Sequence, residues 1–189
     1  MIVIKIDRRR QKAQRMMRSG KMKKFLIGMA CLWSWWGLST SAGAAEMASS
    51  ALKNADGATV GTVTLESTPN GTLVHAKFTK LPPGAHAFHV HSIGNCVPPF
   101  KSAGGHYNPH GMKHGIHSLG GGHAGDMPNI TVPGSGALEI QVLNTRVKLD
   151  GSLFDADGAA FIIHAGTDDY KSDPAGAAGP RIACGVIRK

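Results

Sequence analysis

The chain has 189 residues, 21 lysines and arginines against 12 acids, ten histidines, a formal charge of +9 and a pI near 9.8, which at first sight points to nucleic acid or an anionic surface. Residues 1–45 hold ten of those 21 basic groups and one of the 12 acids, leaving 11 of each from Glu46 onward. The remainder is formally neutral, so charge gives no ground for a nucleic-acid partner.

The first 45 residues read as an export signal. Lys21, Lys23 and Lys24 precede an apolar run from Phe25 to Leu38, followed by Ala42-Gly43-Ala44 of the small-residue cleavage type. That run is short for a bilayer-spanning helix, so a membrane anchor is the weaker alternative. Cleavage is expected after Ala44 or Ala45, with translation starts at Met16, Met17 or Met22 as alternatives to Met1. Cys31 leaves with this leader, and the expected domain is 46–189, exported to the periplasm, or secreted where there is no outer membrane. Two cysteines remain, Cys96 and Cys184. In an oxidising compartment they favour pairing, with buried free thiols as the alternative.

From Glu46 the pattern is strand. Ala58–Ser67 and Thr72–Phe78 alternate apolar and polar residues around Asn70-Gly71, a hairpin signal. Pro82-Pro83-Gly84 breaks the chain before a short strand, Ala87–His91. Further strands are expected at Leu138–Leu143, Arg146–Leu149, Ala160–His164 and Ile182–Ile187, with a turn at Asp157-Gly158. Seven or eight short strands without a helical period imply an all-β, antiparallel Greek-key sandwich or barrel.

Residues 92–137 follow no strand or helix pattern and are rich in Gly, Pro, His and Asn. A connection of this length demands disorder or a function. Between Phe88 and Asp126 lie seven of the ten histidines. On a strand, residues two apart share a side, so His89 and His91 present both rings to one place, a ready metal chelate. A second irregular stretch, Ala165–Pro180, precedes the last strand.

The segments Phe88-His89-Val90-His91, Gly105-His106-Tyr107-Asn108-Pro109, Lys113-His114-Gly115, His123-Ala124-Gly125-Asp126, Ile162-Ile163-His164 and Arg181-Ile182-Ala183-Cys184-Gly185-Val186-Ile187 resemble, in order, the motifs of the copper-zinc superoxide dismutases. The likeness covers essentially the whole mature chain, and the exported leader is similar to the bacterial branch. It implies an eight-stranded antiparallel Greek-key β-barrel with two long loops over a metal site, and a disulfide between Cys96 and Cys184. It assigns copper to His89, His91, His106 and His164, and zinc to His106, His114, His123 and Asp126, with His106 shared. Four imidazoles suit Cu(II), and three imidazoles with a carboxylate suit zinc.

The same resemblance gives Asp168 the task of linking His89 to His114, and Arg181 that of facing superoxide, the small-molecule substrate. It is compatible with a homodimer, with no nucleic-acid partner and no membrane contact after cleavage. His75, His110 and His117 match no ligand position; His86 matches a hydrogen-bonded support. Asp169 and Asp173 read as solvated loop acids, and Lys171 as either a guiding cation or an ordinary surface lysine. Two rival functions remain: a dismutase-like copper carrier or chaperone, which would lack copper ligands or the arginine, and a zinc-only protein, which would leave His89, His91 and His164 idle.

Overall fold

A computed structural model describes residues 45–189, so all but the last residue of the expected signal peptide lies outside the described part. Nine strands follow in chain order: β1 (Met47–Asn54), β2 (Thr59–Thr68), β3 (Gly71–Phe78), β4 (Gly84–His86), β5 (Phe88–His91), β6 (Ile130–Val132), β7 (Leu138–Asn144), β8 (Ala160–His164) and β9 (Arg181–Val186). Among the described residues the one helical element is a single 3-10 turn, Lys101–Ala103. Seven strands form one curled antiparallel sheet in the order β5-β8-β9-β1-β2-β3-β7, and β4 pairs with β6. Ala87 alone separates β4 from β5, so the two strands read as one interrupted strand, and eight result.

Alternation decides which residues meet inside. On β2 Val60, Val63 and Leu65 are buried, and on β3 Val74, Ala76 and Phe78. Each of the buried Val, Leu and Phe side chains contributes about 1.5–3 kcal/mol by leaving water. Gly61 lets β2 and β3 close up, since a Cβ there would lie 2.5 Å from the Phe78 ring and 2.7 Å from the Lys77 carbonyl. β8 is buried along its whole length, and its two faces serve different purposes. Phe161 and Ile163 join Phe88 and Val90 in the main core. Ala160 and Ile162 pack on the other face with Phe100, Ala103 and Cys184. His89, His91 and His164 fall on that second face by the same two-residue period, beneath the long loops.

Three expectations need correction. No strand forms over Arg146–Leu149: the Asn144 side chain accepts the N–H groups of Arg146 and Val147, both at 2.9 Å, and the Val147 carbonyl accepts from the Thr72 hydroxyl at 2.8 Å. Side chains thus take the groups a ladder would use, although Val147 and Leu149 stay buried. The β2–β3 turn is Pro69-Asn70, because Thr68 pairs with Gly71. Gly71 instead admits the Asn144 carbonyl, which a Cβ would meet at 2.5 Å. Finally, β1 carries no strand expectation, yet its Ala48, Ser50 and Leu52 point inward and it lies between β2 and β9.

Candidate metal centre

The open edge of β5 is where the long loop returns. The Val90 N–H bonds the Gly125 carbonyl at 2.9 Å, the Tyr107 N–H bonds the Val90 carbonyl at 2.8 Å, and the Gly125 N–H bonds the Tyr107 carbonyl at 2.8 Å. Backbone pairing then sets His106 opposite His91 and Asp126 opposite His89. Gly125 makes this approach possible, because any Cβ there would overlap the Val90 carbonyl. Two sequence-distant segments are thereby delivered to the strand pair that carries His89 and His91.

Two groups of side chains converge as a result. His89, His91, His106 and His164 each offer one nitrogen, all four within 4.8 Å of one another; His106, His114, His123 and Asp126 do the same. The His106 ring belongs to both. Its centroid lies 4.1 Å from His89 and 4.9 Å from His91 on one side, and 5.0 Å from His114 and 5.4 Å from His123 on the other.

The hydrogen bonds fix which nitrogen of each ring is free. His91 Nδ1 donates to the Gly104 carbonyl at 3.0 Å, His164 Nδ1 to the Gly179 carbonyl at 3.1 Å, and His89 Nε2 meets Asp168 Oδ2 at 2.8 Å. A neutral imidazole that donates from one nitrogen carries a lone pair on the other. Those others, His91 Nε2, His164 Nε2 and His89 Nδ1, are buried without a partner, as is His106 Nε2. Orphaned buried polar atoms are rare in folded proteins, and four aimed at one place fit a cation that prefers imidazole.

In the second group Asp126 Oδ1 stands 2.8 Å from His106 Nδ1, 3.1 Å from His114 Nδ1 and 3.4 Å from His123 Nδ1. The far nitrogen of His114 meets Asp168 Oδ1 at 3.0 Å. One neutral ring cannot donate to two carboxylates, whereas a cation among the Nδ1 atoms and Asp126 leaves Nε2–H free to donate to Asp168. Asp126 Oδ2 is satisfied separately by the N–H groups of Gly115 and His123, both at 2.9 Å.

Electrostatics agree with this division. Burial, with the neighbouring His106 ring second, pushes His91 down to about 2, and burial pushes His164 down to about 4. His89 and His123 are lowered for the same first reason. These rings are neutral near pH 7 and need lose no proton to bind a metal. Burial works against the ionised Asp126, but hydrogen bonds from His106 and Gly115 outweigh it and hold the carboxyl at about 2. Asp168 likewise stays well below the usual carboxylate range, burial being overcome by His89, His114 and the Tyr170 N–H.

Arg181 lies opposite His164 on β9, half-buried. Its guanidinium donates to the carbonyls of Phe100 at 2.6 Å and Gly104 at 2.7 Å, and no carboxylate pairs with it among the described residues. Cys96 and Cys184 form a disulfide 88 positions apart, which ties this carbonyl-bearing loop to β9. His86 is buried between the carbonyls of His164 and Pro82, each at 2.9 Å. His75 contacts Glu139 on the surface and His117 stacks edge-on to Tyr170, both apart from the metal groups.

Several supports carry no sequence signal of their own. The Asn129 amide brackets Asp168 from both sides, donating to its carbonyl at 2.9 Å and accepting from its N–H at 2.8 Å. Gly176, at φ 63°, closes over Asp168, and a Cβ there would overlap the carboxylate and lie 2.7 Å from His114 Nε2. Asp173 is not a purely solvated acid, since its Oδ1 accepts the His114 N–H at 2.7 Å. Asp169 caps the N–H groups of Lys171 and Ser172 at 2.9 and 2.8 Å.

Comparison with known proteins places these residues in a family context. The sequence profile described as "Copper/zinc superoxide dismutase (SODC)" matches residues 59–187. "Superoxide dismutase [Cu-Zn] 2" of Aquifex aeolicus is 52% identical over 143 residues, covering 72% of this chain and 84% of that protein. The copper-zinc superoxide dismutase of Caulobacter vibrioides is 39% identical over 148 residues, covering 75% and 85%. Among solved structures, the Cu/Zn superoxide dismutase from Brucella abortus superposes with a TM-score of 0.64 at 31% identity, covering 75% of this chain and 99% of that one. A SOD-like protein from Bacillus subtilis gives 0.70 at 36% identity, covering 73% and 96%.

Proposed function

The chain belongs to the copper/zinc superoxide dismutase family, and we propose from that membership and the geometry above how its residues divide the work. It is an oxidoreductase that converts superoxide to oxygen and hydrogen peroxide, with copper and zinc as its metals. The observation that carries the reading of the site is the convergence of four buried, unpartnered ring nitrogens on one point.

His89 through Nδ1, and His91, His106 and His164 through Nε2, would hold copper. His106, His114 and His123 through Nδ1, with Asp126 Oδ1, would hold zinc. Copper held there would supply one-electron Cu(II)/Cu(I) chemistry toward superoxide.

The remaining tasks fall to the chain itself. His106 Nδ1 is turned to the zinc group, so Nε2, the nitrogen that would hold copper, is the one atom of that ring that can carry a proton, and it can do so only while it is not bound to copper. Asp168 holds His89 Nε2–H and His114 Nε2–H at once, which fixes both rings and couples the two metal groups. Arg181 has two donors committed to carbonyls and keeps the others for an anion, in the planar geometry that suits paired oxygen atoms. Lys171, exposed in the 165–180 loop, is the second candidate for guiding the anion.

Residues 1–45 act as the signal peptide and 46–189 as the enzyme domain, working in the periplasm, or outside the cell where no outer membrane exists. The first strand begins at Met47, directly after the expected cleavage. Among the described residues no helix is long and apolar enough to cross a membrane. Export to an oxidising compartment also accounts for the disulfide. A copper carrier of the same fold is disfavoured, because the full ligand set and Arg181 are assembled. Dismutation that tracks copper occupancy in purified protein tests the reading, and a protein that binds copper without dismutating superoxide revives the carrier.

A further inference from the structure

Away from the histidines, the outer faces of β1 and β9 and the 96–100 loop enclose a trough of about 550 Å³. Its lining includes Ala51, Lys53, Cys96, Pro98, Cys184 and Arg188, and no carboxylate. Lys53 and Arg188 are both exposed, and neither takes part in an ion pair among the described residues. The disulfide therefore forms a wall of a concave, positively charged surface. Its two sulfurs differ in access: Cys184 is 2% exposed, whereas Cys96 is only half-buried.

We propose that this trough is a thiol–disulfide exchange site, at which a small thiol bearing a carboxylate opens the Cys96–Cys184 bond by attack on Cys96. The carboxylate is held by Lys53 and Arg188. The thiolate forms a bond to Cys96 Sγ while the Cys96–Cys184 bond breaks, and the electron pair leaves on Cys184 Sγ, which takes a proton from solvent. A second thiolate then attacks the small molecule's sulfur in the mixed disulfide. That step releases Cys96 as a thiolate and a small disulfide, so two thiols are oxidised and one protein disulfide is reduced. Opening the bond frees the loop whose Phe100 and Gly104 carbonyls hold Arg181, which links the redox state of the trough to the metal face.

The test uses metal-loaded mature protein and three probes, mercaptopropionate, mercaptoethanol and cysteamine, which are anionic, neutral and cationic. Reduction is followed by alkylation and mass spectrometry at low salt and equal thiolate concentration. Each rate is normalised to the same thiol's rate on hydroxyethyl disulfide, which removes intrinsic nucleophilicity. The expected order is mercaptopropionate, mercaptoethanol, cysteamine, with roughly tenfold between the extremes, as for a charged cleft acting on a small ion. The first adduct should sit on Cys96.

In Lys53→Glu/Arg188→Glu the order should invert; if that variant folds poorly, Lys53→Ala/Arg188→Ala should abolish the order. Equal normalised rates for the three thiols, an unchanged order in the variants, a first adduct on Cys184, or no reduction by any thiol overturns the proposal. Dismutation does not enter this readout, so the outcome is independent of the enzymatic reading.

Discussion

His91 and Arg181 are held by one atom: the Gly104 carbonyl accepts His91 Nδ1 at 3.0 Å and the Arg181 guanidinium at 2.7 Å. The tautomer that frees His91 Nε2 and the position of the Arg181 guanidinium therefore depend on the same short loop, which the Cys96–Cys184 bond anchors to β9.

Arg181 is expected to govern capture of superoxide and not metal retention. Arg181→Glu should keep both metals while the rate falls at least about tenfold, and the usual loss of rate with added salt should weaken or reverse. Arg181→Lys should fall between, since an ammonium keeps the charge but cannot span the Phe100 and Gly104 carbonyls as a planar fork does. Stopped-flow or pulse-radiolysis rates at full copper occupancy check this. A Glu variant that matches wild type in rate and salt response would assign guidance to Lys171.

Asp168 should matter to both metals at once. Asp168→Ala removes the acceptor of His89 Nε2 and of His114 Nε2, and metal affinity should drop about 10–100-fold, as for other partners of metal-bound histidine. Gly176→Ala should produce a similar defect from outside the site, because its Cβ would overlap the Asp168 carboxylate. Competition titrations with a chelator measure both. Unaltered zinc affinity in the two variants would reduce Asp168 to a loop fastener.

The disulfide closes a loop of nearly ninety residues and should stabilise the fold by roughly 2–5 kcal/mol. Cys184→Ser is expected to lower the melting temperature of the oxidised, metal-loaded protein and to speed metal loss. Identical melting curves and retention would show that packing of Phe100 and Ala103 against β8 suffices.

Stability of the metal-free protein should depend on pH in one direction. Unfolded histidine takes up a proton near pH 6.5, but folded His164 does so only near 4 and His91 near 2, both because of burial. The unfolded state thus binds more protons below pH 6.5, and stability falls as pH drops through that window. Asp126, held at about 2, adds a further loss as pH falls below the usual carboxylate range toward that value. Calorimetry of the metal-free protein should show a flat melting temperature above about pH 7 and a decline below 6.5. A constant value from pH 8 to 5 contradicts neutral buried rings.

What the sequence reveals and what it hides have separate physical causes. Two-residue alternation exposes β2, β3 and β8, and places His89 and His91 on one face, because the period is local. β1 escapes notice because its inward residues are Ala48, Ser50 and Leu52, a weak contrast with their neighbours. Arg146–Leu149 resembles a strand until the Asn144 side chain takes its N–H groups. The histidines are legible as motifs. Gly125 and Gly176 are not, since the need for glycine arises only when Val90 and Asp168 arrive from distant parts of the chain. Asn129 is hidden for the same reason.

One histidine ring is proposed to serve both metal groups, and the variant His106→Ala probes that sharing. Copper EPR and metal content of the wild type and the variant should be measured after loading with both metals. Wild-type protein should hold one copper and one zinc per chain, with dismutation that follows copper, and the variant should show an altered copper spectrum, weakened zinc retention and loss of most activity. A variant with an unchanged copper spectrum and full zinc content would contradict the sharing and move the bridge to another histidine.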